Sequence, residues 1–171
     1  MIRNSIVSYS TNNLEQFGQK LRYSRFVREL DNTDEAVLNN EAEFQMQKRF
    51  VPSTTCATLV ELEFHNSVKV SSISSTSFTF NNFIAQLDDD GLGNIRIFRF
   101  NTDKEKVFID ATAGTIDYTT GKLSMSSFLV SAFDGIEIRV NADPVNKDIT
   151  PVREQIIIIS SADAVIETEA E

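Results

Sequence analysis

The chain has no tryptophan, one cysteine and one histidine among its 171 residues. These scarcities close off several chemistries before any motif is sought. A single cysteine permits no intrachain disulfide, which fits a reducing compartment. One cysteine and one histidine leave too few ligands for a structural zinc site. Cys56 and His65 fall in an expected strand pair, and nothing else joins them into a nucleophile–base dyad, so Cys56 is read as a small buried hydrophobe. The lack of tryptophan weakens a sugar-binding reading, since sugar sites often present aromatic platforms. No apolar run reaches the ~18 residues of a membrane-spanning helix. The start, MIRNSIVSYS, lacks the apolar core of a signal peptide, and there is no N-x-S/T sequon. These features predict a soluble chain made in a cytoplasm.

Positive charge is also short. Lys and Arg number 16 against 25 Asp and Glu, a formal net charge of −9 with a sequence pI near 4.6. Such a chain does not bind nucleic acid non-specifically, because it cannot displace phosphate counterions. It is equally unsuited to an anionic membrane surface. The densest basic segment, 19–28, carries Lys20, Arg22, Arg25 and Arg28 and reads as a solvated helix face.

What is present is an ordinary globular balance, 41% hydrophobic and 24% charged, with 13 Phe. A chain of this length typically buries about 70% of its unfolded surface, so it needs no metal or disulfide to hold a core.

Along the chain, 1–11 is polar with a β-like patch at Ile6, Val7 and Tyr9, an arm or a strand. Asn12 or Asn13 is expected to cap a helix, with Glu15 in its first turn and Leu14, Phe17 and Leu21 on one face. Ser24 opens a second helical stretch with Phe26, Val27 and Leu30 apolar. Asp31, Asn32, Thr33 and Asp34 then give a stop signal, and a brief helical turn is expected over 35–38. From 42 to 50 the period becomes two, a half-exposed strand ended by Pro52. Strands are expected over 59–64, 71–80, 94–100, 107–109, 128–133 and 135–140. A hairpin is expected over 113–125, turning at Thr119, Thr120 and Gly121. Gln155 and the four isoleucines Ile156, Ile157, Ile158 and Ile159 read as a strand apolar on both faces, central in a sheet or covered by a second surface. Short strands at this spacing predict a mainly β (α+β) fold, an antiparallel β-sandwich-like domain preceded by a short N-terminal helical segment. The expected division is 1–40 (arm and helical segment), 41–159 (β domain) and 160–171 (a frayed acidic tail with Glu167, Glu169 and Glu171).

The most site-like cluster is LDDDGLGN at 87–94. An EF-hand loop with Gly91 sixth would need a carboxylate twelfth, where Ile97 stands. The cluster therefore reads as a solvated turn, with Asp bonding its own backbone and Gly supplying positive φ. Gly91-Leu92-Gly93 is no dinucleotide fingerprint, because Arg96 replaces the third glycine and a strand follows. No Walker A, H-E-x-x-H or G-x-S-x-G motif occurs. Asp110, Asp117 and Asp134 lie in or near expected turns, and no pair of them makes a glycosidase site. The serine-rich 71–77 reads as a solvent-facing strand.

Five stretches carry a resemblance: LRYSRFVRELDNTD (21–34), QKRFVP (47–52), LDDDGLGNIRIF (87–98), AGTIDYTTGKL (113–123) and DITPVREQIIII (148–159). In order and spacing they resemble the C-terminal region of the T4-like bacteriophage baseplate wedge subunit, which links into the ring around the tail-tube hub. The resemblance implies a structural virion protein of the phage tail baseplate, made in the host cytoplasm, with no catalytic residues and no cofactor. It implies assembly with itself as a homodimer and with other baseplate wedge proteins, and no nucleic-acid, membrane or small-molecule partner. Family members are much longer, with an N-terminal helical region, so the resemblance also implies a fragment or a short relative. Phe26, Val27 and Leu30 on the second helical stretch, and the Ile156, Ile157, Ile158 and Ile159 strand, are the candidate contact residues. Intramolecular core is the competing assignment for each. A second function class is a carbohydrate- or Ca²⁺-binding β-sandwich adhesin, motivated by the β pattern and LDDDGLGN.

Overall fold

The computed structural model describes residues 2–35, 37, 40–152, 155–160, 162 and 164–167. The chain divides into two compact units, one formed by 1–43 with 147–171 and the other by 44–146.

The first unit contains two helices, α1 (Ile2–Asn13) and α2 (Tyr23–Asp31). Residues 2–11 are thus helical, not an arm or strand. Ile2, Ile6 and Tyr9 recur at helical spacing, and the burial of Ile6 and Tyr9 outweighs the weak propensity of Ile, Val, Ser and Thr. Asn12 and Asn13 end this helix and do not start the next. Leu14, expected to be helical, lies in the turn that follows, where its N–H donates to Ser10 O and its side chain is fully buried. Phe17 is 69% exposed. Leu21 pairs antiparallel with Ile149, exchanging two hydrogen bonds of 3.0 Å.

The second helical stretch is where the sequence places it. Its N-terminus receives no cap from Arg22. Instead Tyr23 N–H donates to Asp148 Oδ1 at 2.8 Å, so a distant carboxylate satisfies a donor that a local cap would otherwise take. Asn32 closes the helix, as the stop signal predicts. The turn expected over 35–38 falls partly outside the described residues, as does the end of the acidic tail.

The second unit is a sheet of ten strands: β1 (Met46–Phe50), β2 (Thr58–Glu63), β3 (Ser74–Ser75), β4 (Phe78–Phe80), β5 (Phe83–Asp89), β6 (Asn94–Phe100), β7 (Lys106–Asp117), β8 (Lys122–Phe128), β9 (Ala132–Phe133) and β10 (Ile138–Ala142). The order is β1-β10-β3-β5-β6-β7-β8-β2, with β4 joining β5 to β9, and every pairing is antiparallel. The ends of the path approach one another. Phe50 on β1 meets Phe128 on β8 edge-on at 5.8 Å, and Val130 N–H donates to Ser53 O at 3.4 Å. The sheet is nearly closed and barrel-like. The mainly antiparallel β fold with a short helical lead is the one the sequence predicts.

Alternation along the strands decides which side faces in, including β5, which the sequence reading did not assign. Ala85 and Leu87 of β5, Ile95 and Ile97 of β6, Leu123 and Met125 of β8, and Ile138 and Val140 of β10 are almost wholly buried. The strand expected over 107–109 is the first part of the twelve-residue β7. Its register against β6 slips twice, between Ile95 and Ile97 and between Ile97 and Phe98. Irregularities of this kind bend a strand and help a sheet curl towards closure. The hairpin turns where expected. Gly121 has φ +71, and a Cβ there would stand 2.5 Å from Asn66 O. Asp117 locks the turn by accepting from Thr119 N–H at 2.8 Å and Thr120 Oγ1 at 2.8 Å, which holds its carboxyl below the usual range.

Candidate interaction surfaces

Asp88, Asp89 and Asp90 are adjacent but do not converge. Asp88 accepts from Arg96 Nε (3.0 Å) and Nη2 (2.9 Å) and from Lys106 Nζ (2.8 Å). Asp89 accepts from Ile73 N–H (2.9 Å) on one oxygen, and from Ser71 N–H (2.7 Å) and the Tyr118 hydroxyl on the other. Asp90 accepts from Leu92 N–H (2.7 Å), Asn94 N–H (2.9 Å) and the Asn94 side-chain amide. Every oxygen of the three carboxylates already takes a bond from this chain. Only Asp90 behaves as the expected turn residue, with Gly91 and Gly93 at positive φ beside it. Asp88 and Asp89 are buried on β5, contrary to the reading of the whole cluster as a solvated turn. Their role is bracing: Asp89 ties 71–73 to the turn after β7, and Asp88 pairs with cations on β6 and β7. Among the described residues no group of three or more His, Cys, Asp or Glu side chains is placed to hold a metal.

Electrostatics follows from these bonds. Partial burial and the bond it donates to Asp89 push the Tyr118 hydroxyl up to about 12. The Asn94 amide and backbone donors hold the Asp90 carboxyl down at about 2. Burial lowers the Lys48 ammonium, partly offset by Glu63.

Cys56 is exposed, not the buried hydrophobe expected, because it lies in the loop between β1 and β2, where its sulfur meets Ser53 Oγ at 3.5 Å. His65 is paired with Glu63 at 3.4 Å. Asp110 lies inside β7, not at a turn. The serine-rich run is only partly solvent-facing: Ser75 is buried and its Oγ accepts from Leu87 N–H at 2.8 Å. Lys20, Arg22, Arg25 and Arg28 are exposed as expected, but only Arg25 and Arg28 lie on a helix, so the basic run is solvated without being one helix face.

The candidate contact residues separate sharply. Phe26 and Leu30 are 3% and 8% exposed and sit inside the first unit, with Phe26 edge-on to Tyr9 at 5.1 Å. Val27 is half-buried. The isoleucines form no strand, central or otherwise. Ile156 and Ile158 are 42% and 68% exposed, while Ile157 and Ile159 are half-buried. The segment is tied down at one end, where Ile159 N–H donates to Ser10 Oγ at 3.0 Å. Four consecutive isoleucines thus line a segment that buries none of them fully.

Sequence reasoning missed a second surface. On the outer side of β5, β6 and β7, Ile84, Phe100 and Phe108 are exposed. Arg96 lies over the Phe108 ring at 4.3 Å and Lys106 over the Phe98 ring at 4.0 Å. Phe98 meets Phe100 edge-on at 5.5 Å. The signal was in NIRIFRF, where Arg96, Phe98 and Phe100 alternate with inward Ile95 and Ile97. No helix among the described residues is long and apolar enough to cross a membrane.

Residues 1–49 match the family model described as baseplate structural protein gp6, C-terminal domain III. No curated protein matches. The matched segment holds both helices, all of the first stretch that carries the resemblance, and the start of the second. The match supports a phage baseplate protein with a structural role.

Proposed function

We propose that this chain is a structural module of the phage baseplate wedge, working by protein–protein assembly with itself and with neighbouring wedge subunits in the virion. The observation that carries this reading is the match of residues 1–49 to a domain of a structural baseplate protein. The chemistry of the chain is consistent with it. Its carboxylates brace the fold, and its isoleucines are left with apolar surface to cover. Isolated apolar side chains on a surface are ordinary, but a contiguous group marks a contact site. Ile156 and Ile158, exposed on one segment, offer surface for such a contact. The assembled contact should bury about 1,000 Å² or more in total.

Mixing the purified chain with the other wedge proteins of the same phage and sedimenting the mixture tests the reading. Co-sedimentation with at least one of them is expected, and it should weaken when Ile156 and Ile158 are replaced by Asp. Independent sedimentation of every component would contradict it.

A further inference from the structure

We propose that the Asp134–Gly135 peptide is a site of spontaneous backbone modification, where aspartate isomerises through a cyclic imide to isoaspartate, and that the fold protects the chain's other Asp-Gly pair, Asp90–Gly91. In this reaction the Gly135 nitrogen attacks Cγ of Asp134. A new N–C bond forms, the carboxyl hydroxyl departs as water, and a five-membered imide results. Water then adds to either imide carbonyl. Opening at one restores aspartate. Opening at the other routes the main chain through the side-chain carbonyl, giving isoaspartate of unchanged composition.

The reaction needs a carboxyl free to turn inward, a following residue with no side chain in the way, and room for the ring. Asp134 has all three. It lies on the exposed bend between β9 and β10, and its carboxylate makes no hydrogen bond or ion pair with another described residue. Gly135 has φ +74, and a Cβ built on it would meet nothing within 4 Å. Ile136 beyond it is 82% exposed, so no packed neighbour resists the rearrangement.

Asp90 also precedes a glycine, but it has neither the free carboxyl nor the room. Its oxygens hold Leu92 and Asn94, and its own N–H donates to Asn94 O at 3.1 Å. A Cβ at Gly91 would lie 2.9 Å from Ser71 Oγ and 3.2 Å from Val70. The Asp90 carboxyl, held near 2, stays ionised and is a poor electrophile at neutral pH. The isomerised bond at 134 would matter to the sheet. It adds a main-chain carbon close to Glu137, whose carboxylate holds Arg49 of β1 at 3.2 Å and Arg139 of β10 at 3.5 Å.

The test is ageing at 37 °C and mildly acidic pH followed by trypsin and chromatography with mass detection. Peptide 123–139 contains Asp134 as its only aspartate, while 70–96 contains Asp88, Asp89 and Asp90. A second peak of identical mass should grow in 123–139, at least about tenfold faster than in 70–96, as expected from a misplaced and ionised nucleophile partner in the latter. Deamidation of asparagine is distinguishable because it changes the mass. In urea the two rates should converge, and Asp134→Glu should abolish the new peak. Equal rates in the folded protein, or no isomer in 123–139, would overturn the proposal.

Discussion

At the scale of the residue, the clearest functional economy is that ionisable groups are spent on bracing. Asp89 is 4% exposed, and its three donors satisfy a carboxylate that would be costly to bury unpaired. Tyr118 gains most from staying neutral. Its proton is held to about 12 against an ordinary value of 10.0, so the fold favours the phenol over the phenolate. That contribution is complete below pH 10 and is lost as pH rises from about 10 to about 12, because the unfolded chain gives up the proton first. Tyr118→Phe should remove the last step from the ultraviolet phenolate titration and cost about 1 kcal/mol at neutral pH by denaturant unfolding. Little of this was legible beforehand. LDDDGLGN announced acidic residues at a turn, but only the folded chain reveals that Asp88 pairs with Arg96 across the strands and that Asp89 takes the Tyr118 hydroxyl. Cys56 was misread because hydrophobic type alone says nothing about a loop position.

Phe26 marks the same limit. The spacing of Phe26 and Leu30 identifies an apolar helix face, and it does not say whether that face meets its own chain or another. Here it meets Tyr9. Phe26→Ala should cost about 3–5 kcal/mol of stability, and a Tyr9/Phe26 double-mutant cycle should retain about 0.5–1.5 kcal/mol of coupling. Denaturant unfolding of the four proteins checks both.

At the scale of the element, strands and turns were more readable than helices. Alternation in MQKRF and NIRIFRF, and the Thr-Thr-Gly turn, are local signals with local causes, and all three survive in β1, β6 and the β7–β8 hairpin. Gly121→Ala should be strongly destabilising. The positive φ costs about 1–3 kcal/mol for a residue with a Cβ, and the contact with Asn66 O adds to it, so thermal unfolding should show a fall larger than that of an ordinary surface Gly→Ala change. α1 was hidden because its residues are poor helix formers held by burial of Ile6 and Tyr9. α2 was visible, yet its cap was not, since Asp148 lies far along the chain. The isoleucine run failed for the opposite reason. Composition favours a strand, but a strand needs a partner to bond, and none is supplied within the described residues.

At the scale of the molecule, β1 and β2, the two ends of the main strand path, both carry charge. β1 presents Lys48 and Arg49, and β2 presents Glu61 and Glu63, a common guard against edge-to-edge aggregation. Assembly through either of these two edges is therefore disfavoured, and the exposed isoleucine segment offers a side-chain surface instead. Since Ile156 and Ile158 are exposed in the isolated chain, replacing them should separate association from folding, whereas Phe26 cannot do so.

The most direct measurement of the central claim is molar mass by light scattering after size exclusion, over a wide concentration range, for the native sequence and for Ile158→Asp. A dimer of about twice the chain's 19.2 kDa is expected for the native sequence, since twofold pairs are the commonest closed assembly. For Ile158→Asp a monomer with unchanged unfolding midpoint is expected. A native chain that stays monomeric at every concentration, or a variant that dimerises as well as the native chain, would contradict self-association through this segment.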